Sequence, residues 1–577
     1  MNISTSAAAR RMTQRAACSA CRSVELACLT RNVARFPPTG SCQLIISRRS
    51  LSVSRHLAEA KPVAFKRHGL LPQLQTQEHA RQSGSGLDKQ RRTAYIALGS
   101  NMGDRIAMIE QACNEMDARG ICVKRTSSLW ETEPMYVLEQ GRFVNGACEV
   151  ETSLEPLALL DQLQDIENSM GRQKVIDKGP RNIDLDILLY EGVKLKHDRL
   201  EIPHKGIPER EFVLRPLTEL IPDKAVDPDR PWKLAQDYLN ELPLSSPPLT
   251  TLTPLSPSNP PLQAVKPTRR THVMAILNVT PDSFSDGGKH NPIDQSSLKS
   301  TVEDLIKSGA TIIDVGGQST APGAPEVSLE EELARVIPAV KAIREVSRDH
   351  GLDSGPRRIL ISADTYRAAV AEAAVSAGAD IINDVSAGAL DADMLPTVAR
   401  LGVTVCLMHM RGTPATMSSL SNYDGPSSSS PDPESNVNST DEGGLIPSVA
   451  RELLDRVAEA EAAGIRRWRI ILDPGLGFAK ELPEQNLEIL RRLDELRLWP
   501  GLEGLPWLVG PSRKRFVGTI TGVKKPANRV WGTAAAVAAA VQGGADVVRV
   551  HDVREMAQVV AMSDAIWRQG GCSSHDS

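Results

Sequence analysis

A chain of 577 residues, 41% hydrophobic and 24% charged, is too long for one compact unit and has the make-up of globular domains. Its formal net charge of -4 supplies no global basic field for nucleic acid, and no apolar run approaches the roughly 20 residues of a membrane span. The nine cysteines form no framework: Cys18-x-x-Cys21 has zinc-like spacing but no second pair follows, so they read as unpaired thiols in a reducing compartment.

Residues 1–58 are not domain-like. Arg10, Arg11, Arg15, Arg22, Arg31, Arg35, Arg48, Arg49 and Arg55 stand against one acid, Glu25, in a Ser- and Ala-rich background. That composition predicts a mitochondrial transit peptide leading to the matrix, the plainer alternative being a disordered basic tail. Residues 59–92 read as a polar spacer.

A first domain is expected over 93–240. Tyr95–Leu98 is a short apolar strand broken by Gly99-Ser100-Asn101, and Asp104–Arg119 has helical spacing. Val123–Thr132 and Phe143–Thr152 read as strands, Pro156–Met170 as an amphipathic helix and Ile183–Tyr190 as a further strand. The uneven alternation predicts an α+β, ferredoxin-like split βαβ sheet. Within the last strand, period-two geometry puts Asp184 and Asp186 on one face, roughly 7 Å apart, with Ile183, Leu185 and Ile187 on the other. Such a pair can share hard cations that bridge nucleotide phosphates. Arg172, Lys174 and Arg181 precede it and either neutralise phosphate or form a solvated basic face.

Residues 241–270 carry eight prolines between Pro243 and Pro267 and predict a semi-rigid linker. Over 271–570, eight short apolar segments recur with helical stretches between them: His272–Val279, Thr311–Val315, Ile359–Ala363, Asp380–Asp384, Val403–Met408, Arg469–Leu472, Pro506–Val509 and Asp546–Val550. This is the pattern of a parallel (β/α)8 TIM barrel. Each segment ends in polar residues: Asn278, Asp314, Asp364, Asn383, His409, Asp473, Ser512-Arg513-Lys514, and Arg549 with His551. One such residue is a helix cap; eight together mark the working face of a barrel. The Ser-rich stretch 421–447 reads as a disordered insertion.

These motifs resemble two families in tandem. Tyr95-Ile96-Ala97-Leu98-Gly99-Ser100-Asn101, Glu133-Pro134, Phe143-Val144-Asn145, the acidic strand, Pro203-His204 and Arg210-Glu211-Phe212 resemble 6-hydroxymethyl-7,8-dihydropterin pyrophosphokinase. The resemblance implies that Asp184 and Asp186 hold two Mg2+ ions. It also implies that Phe143 and Phe212 sandwich the pterin, and that Asn145 bonds its edge. By themselves the two phenylalanines read as core. Arg172, Lys174, Arg181, His204 and Arg210 would contact ATP, with Arg172 and Arg181 counted as catalytic. Leu277–Gly288, Asp314-Val315-Gly316-Gly317, Asp473-Pro474-Gly475-Leu476-Gly477-Phe478, Ser512-Arg513-Lys514 and Arg549-Val550-His551-Asp552 resemble dihydropteroate synthase. That implies pterin contacts from Asp364, Asn383, Asp473, Phe478 and Lys514. Asn278, Arg549 and His551 would handle pyrophosphate and one Mg2+, with Thr320 among the substrate contacts and Lys514 and Arg549 catalytic. The neutral amine of p-aminobenzoate would attack without a covalent enzyme intermediate.

Ser319-Thr320-Ala321-Pro322 departs from the family's Ser-Thr-Arg-Pro, and Gln318 stands where an acid is common. The expected partners are therefore hydroxymethyldihydropterin, ATP and p-aminobenzoate, with sulfonamides as inhibitors, no nucleic acid or membrane, and a homodimer through the barrel. A pterin-dependent methyltransferase is the rival enzyme reading; Ser512-Arg513-Lys514, the Asn278 loop and the fusion to a pterin kinase favour the synthase. A retired, scaffolding half is set against intact motifs in both halves. Related fungal proteins carry an aldolase module that makes the pterin; no room for it is expected before residue 93.

Overall fold

The computed structural model describes residues 91–135, 139–172, 179–243, 245–279, 294–318, 326–352, 358–423 and 443–568. The arginine-rich start, Lys174, Thr320, Ala321 and residues 424–442 of the Ser-rich stretch lie outside them.

The first lobe is built on β1 (Arg92–Ser100), β2 (Cys122–Thr126), β3 (Leu129–Thr132), β4 (Phe143–Thr152) and β5 (Asp184–Tyr190). Their order is β5-β1-β4-β3, with β2 also on β4, and every neighbouring pair is antiparallel. This is the split βαβ arrangement expected. The single strand foreseen over Val123–Thr132 is two, because Ser127 turns the chain, its Oγ accepting from the Ala147 amide.

Strand alternation then sorts β1 onto two faces. Ala94, Ile96 and Leu98 pack under α1 (Arg105–Ala118) and α2 (Pro156–Ser169), whose buried faces carry Ile109, Met116, Leu159, Leu163 and Ile166. Burying each such side chain contributes about 1.5–3 kcal/mol, which is what fixes the helices on that face. Tyr95 and Ala97 look the other way, toward α3 (Glu211–Leu220) and its Val213, Leu214 and Leu217. Leu185 and Ile187 join the α1/α2 core, so Asp184 and Asp186 fall on the α3 side.

A small ribbon, β6 (Leu195–His197) with β7 (Leu200–Ile202), follows. The proline-rich stretch is more than a spacer. Its β8 (Thr250–Leu252) adds to the free edge of β3, and Leu255 and Leu262 plug the floor of the second lobe.

That lobe is a barrel of β9 (His272–Asn278), β10 (Ile312–Gly316), β11 (Leu360–Asp364), β12 (Ile381–Asp384), β13 (Thr404–Met408), β14 (Ile470–Asp473), β15 (Leu508–Val509) and β16 (Val547–Val550). All neighbours are parallel, and a bridge between Leu472 and Trp507 brings β14 to the residue before β15. One inward residue from each strand meets Leu255 and Leu262: Met274, Ile312, Leu360, Ile381, Cys406, Ile471, Leu508 and Val547. Leu445–Pro447, at the end of the expected insertion, form the first turn of the helix Leu445–Ala462.

The lobes also meet through the segment ahead of β14. Trp468 is 1% exposed and sits in the core of the first lobe, its Nε1–H donating to Glu110 at 2.9 Å. Arg469 clasps the same carboxylate at 2.6 and 2.5 Å, Arg466 reaches Asp117 at 2.9 Å, and Arg467 lies 3.2 Å from Glu219 on α3.

Candidate functional sites

In the first lobe the β-register makes the site. Asn145, Gly99 and Asp184 stand side by side on β4, β1 and β5, and Asp186 is opposite Ala97. A Cβ on Gly99 would lie 3.4 Å from Asn145 Oδ1 and 3.6 Å from Asp184 Cβ, so glycine leaves the row open. The result is a cavity of about 400 Å³ lined by Phe143, Asn145, Arg181, Asp184, Asp186, His204, Arg210 and Phe212. The two phenylalanines are half-buried, and Phe212 also packs against the α3-side core. Each lies under a guanidinium, Arg181 at 5.7 Å from the Phe143 ring and Arg210 at 5.9 Å from that of Phe212.

Asp184 is held by Arg172 at 2.7 Å and Arg181 at 2.6 Å. Burial and the neighbouring Asp184 push Asp186 up to about 6, against the pull of Arg172, Arg181 and Arg210. Two carboxylates on one strand face are hard oxygen donors. Among the described residues no group of three His, Cys, Asp or Glu surrounds a point, and the pair alone offers carboxylate oxygens to a cation. Glu167 is a residue the motifs do not name. It is buried on α2, accepts from the Leu185 amide at 2.7 Å and pairs with Arg172. Its ion pair orients Arg172 from behind the acidic strand, and burial pushes Glu167 up to about 7. A glutamate on the apolar stripe of an amphipathic helix is the signal that finds it.

In the barrel, strand ends converge on a cavity of about 680 Å³ lined by Asn278, Gln318, Asp364, Phe478, Lys480, Lys514, Arg549 and His551, among others. Arg549 at the end of β16 reaches inward, its Nε donating to Asp314 at 2.6 Å and its Nη2 to Asp364 at 2.5 Å. Asn383 Nδ2 donates to the same Asp314 oxygen at 3.1 Å. Burial, with Asp314 and Glu332 adding, pushes Asp364 up to about 7 against the opposing Arg549. Burial also raises Asp473 and lowers Lys514 to about 8. Lys514 Nζ lies 4.1 Å from the centre of the Phe478 ring. The second oxygens of Asp314 and Asp364 and the Oε1 of Gln318 are buried with no partner among the described residues.

His551 accepts or donates at Ser512 Oγ, 3.0 Å away, and burial beside Arg513 and Arg549 pushes it down to about 4. Arg513, Lys514 and Arg549 line the same cavity beside it. His409, one of the polar strand ends, is 2% exposed beneath the loop after β14, away from the cavity wall.

Residues 95–222 match the 7,8-dihydro-6-hydroxymethylpterin-pyrophosphokinase family, and residues 274–551 match the pterin binding enzyme family. A folate synthesis bifunctional protein, mitochondrial, of Arabidopsis thaliana is 41% identical over 491 residues, covering 82% of this chain and 83% of the relative. The chain belongs to the bifunctional folate-synthesis family. The folic acid synthesis protein fol1 of Pneumocystis carinii is 46% identical over 82% of this chain, and the chain spans 60% of that relative's length. The Schizosaccharomyces pombe fol1 protein is likewise spanned over 59% of its length. The fold is that of the Plasmodium falciparum HPPK-DHPS triple mutant solved with pteroate, at a TM-score of 0.66 and 22% identity, covering 83% of this chain and 96% of the other.

Proposed function

We propose that the chain carries out two consecutive steps of folate synthesis. The first lobe transfers pyrophosphate from ATP to 6-hydroxymethyl-7,8-dihydropterin. The barrel condenses that product with p-aminobenzoate to 7,8-dihydropteroate. The observation that carries this reading is the barrel mouth, where Asp314, Asp364, Asn383 and Asp473 are buried beside a half-buried Lys514 with acceptor oxygens left over. Unpaired buried acceptors are costly unless a ligand supplies donors, and a pteridine edge is an array of N–H donors and ring acceptors.

In the first lobe, Phe143 and Phe212 offer faces to a flat ring and Asn145 offers an amide to its edge. Arg172, Arg181, His204 and Arg210 serve the polyphosphate, and the acids Asp184 and Asp186 would hold magnesium. The chemistry such an ion would supply is charge neutralisation on the phosphates during attack by the hydroxymethyl oxygen. Asn278 would serve a further ion at the barrel rim. In the barrel, the bond from the methylene carbon to the pyrophosphate oxygen breaks, the electron pair leaves with the oxygen, and Arg513, Lys514 and Arg549 stabilise the leaving pyrophosphate anion. The arylamine nitrogen then forms the new bond and loses a proton. Sulfonamides would compete with p-aminobenzoate here. Thr320 and Lys174, which lie outside the described residues, remain assigned by resemblance to substrate and to ATP.

Residues 1–58 would direct the chain to the mitochondrial matrix, a reading supported by the names of the plant relatives. An apolar groove along Phe516, Val517, Ile520 and Ala539, beside Trp531 at 85% exposure, supports a homodimer through the barrel. The deciding test supplies hydroxymethyldihydropterin, ATP, magnesium and p-aminobenzoate and looks for dihydropteroate by chromatography. Asp184→Asn should stop AMP release yet still condense pre-made pterin pyrophosphate. Loss of both steps in a folded Asp184→Asn protein would contradict the two-site reading.

A further inference from the structure

The loop after β14, Pro474–Lys480, carries Phe478 to the barrel cavity, and its backbone is held in an uncommon state. Ala479 has φ +48, a left-handed conformation that a residue with a Cβ adopts only when its surroundings enforce it. Three bonds enforce it. Lys480 Nζ donates to the Phe478 carbonyl at 3.0 Å, Tyr423 Oη–H donates to the Ala479 carbonyl at 3.0 Å, and Asn486 Nδ2 donates to the Lys480 carbonyl at 2.9 Å. Lys480 itself is 3% exposed beneath the loop. Its ammonium donates to His409 Nδ1 at 2.9 Å, which fixes the proton on Nε2, and that Nε2–H donates to Glu452 at 3.0 Å. Arg411 clasps Glu452 and stacks 3.9 Å from the Tyr423 ring, so the far end of the chain of bonds is anchored. The last element of the wedge is Gly475, at φ +68, where a Cβ would collide with the His409 carbonyl. A buried amine with two acceptors and no carboxylate of its own is an expensive way to fill space, which calls for a reason.

We propose that Lys480 is a positioning residue for the condensation step, holding the loop in the strained backbone that presents Phe478 and Asp473 to the pterin. The proposal rests on the reading of the barrel as the dihydropteroate-forming site. Lys480 acts through the backbone and through His409. Glu452 and Arg411 set the imidazole that receives it.

The test uses the full chain and pre-made hydroxymethyldihydropterin pyrophosphate, with the dissociation constant measured by titration calorimetry in the absence of p-aminobenzoate. Lys480→Met should weaken that binding about tenfold or more, the size expected for losing a charged hydrogen bond. Its AMP release should match the parent. Ala479→Gly alone should bind like the parent, because glycine takes the left-handed conformation unaided. Ala479→Gly placed in the Lys480→Met protein should recover most of the lost affinity. Unchanged affinity in Lys480→Met overturns the proposal. So does a loss that Ala479→Gly leaves unrecovered, which makes Lys480 a direct ligand contact or plain packing. If Lys480→Met fails to fold, Tyr423→Phe removes one of the three loop bonds and keeps the ring. It should weaken binding by a smaller factor, recovered by the same glycine, and no recovery there also overturns the proposal. A parent that binds the pterin pyrophosphate but forms no dihydropteroate sinks the functional reading alone. A parent that does not bind it sinks both.

Discussion

Trp468 belongs by sequence to the barrel and by packing to the other lobe, so truncating it should damage the lobe it does not belong to. Its indole is 1% exposed among Ile109, Met116 and the strands of the first lobe. Burying an indole removes roughly 150–250 Å² from water, about 4–6 kcal/mol at about 25 cal/mol per Å². The bond from Nε1–H to Glu110 adds about 1 kcal/mol. Partial collapse of the cavity returns some of this, so Trp468→Ala should cost about 3–5 kcal/mol. Trp468→Phe keeps most of the packing and loses the bond, for about 1–2 kcal/mol. Urea titration followed by AMP release reads the first lobe directly. Its midpoint should fall strongly for Trp468→Ala and modestly for Trp468→Phe. A first-lobe midpoint that stays at the parent value, with only barrel signals shifted, would refute the argument that the two lobes share this core.

Lys514→Met should weaken pterin binding in the barrel roughly a hundredfold, a buried charged partner being worth about 3–5 kcal/mol less any relaxation, while AMP release is unchanged; calorimetry and a kinase assay check it. Asp364 is raised to about 7 and Lys514 lowered to about 8, so the form with both groups charged peaks between those values. Pterin affinity should rise as pH climbs through about 7, where Asp364 loses its proton, and fall above about 8, where Lys514 loses its own. In Asp364→Asn the acidic limb should vanish, and an unchanged limb would reassign it. Arg549→Met strands Asp314 and Asp364 without a cation, so it should destabilise the fold by about 3–5 kcal/mol; Asp364→Asn in the same protein should restore part of that on a urea titration. Residues 1–58 fused to a fluorescent protein should enter mitochondria, and a diffuse signal would count against a transit peptide.

Much of this architecture was legible because parallel barrel strands are buried on both faces and so read as uninterrupted apolar runs. All eight foreseen segments fall within a residue or two of β9–β16, and Asn278, Asp364 and Asp473 do end their strands. Asp184 and Asp186 were legible for the opposite reason, an alternation only one sheet face explains. What stayed hidden is long-range. Arg549 meets Asp314 across 235 residues of chain, and nothing local predicts that the guanidinium turns inward. Leu255 and Leu262 are isolated apolar residues among prolines, too sparse for any period to register, yet they close the barrel floor. Trp468 and Lys480 look like ordinary loop residues because their partners, Glu110 and His409, come from elements the loop's own pattern does not describe.

On the functional reading proposed above, the two sites grip one heterocycle by different physics, and the difference suits consecutive steps. The first-lobe cavity offers aromatic faces, Phe143 and Phe212, to the ring, and its charges, Arg172, Arg181, Asp184 and Asp186, stand where phosphate is handled. Stacking there holds the ring by its faces, in a site whose acids lie at the cavity rather than in the core. The barrel offers the reverse, buried carboxylates and a half-buried lysine at the ring's edge, with Arg549 reaching in to Asp314 and Asp364. A ring carrying a new pyrophosphate adds negative charge close to Asp184 and Asp186 once any cation leaves, which weakens its hold in the first lobe. The same group meets Arg513, Lys514 and Arg549 in the barrel cavity, which strengthens its hold there. The charge added by the first step is thus the feature that the second site is built to recognise and then to release.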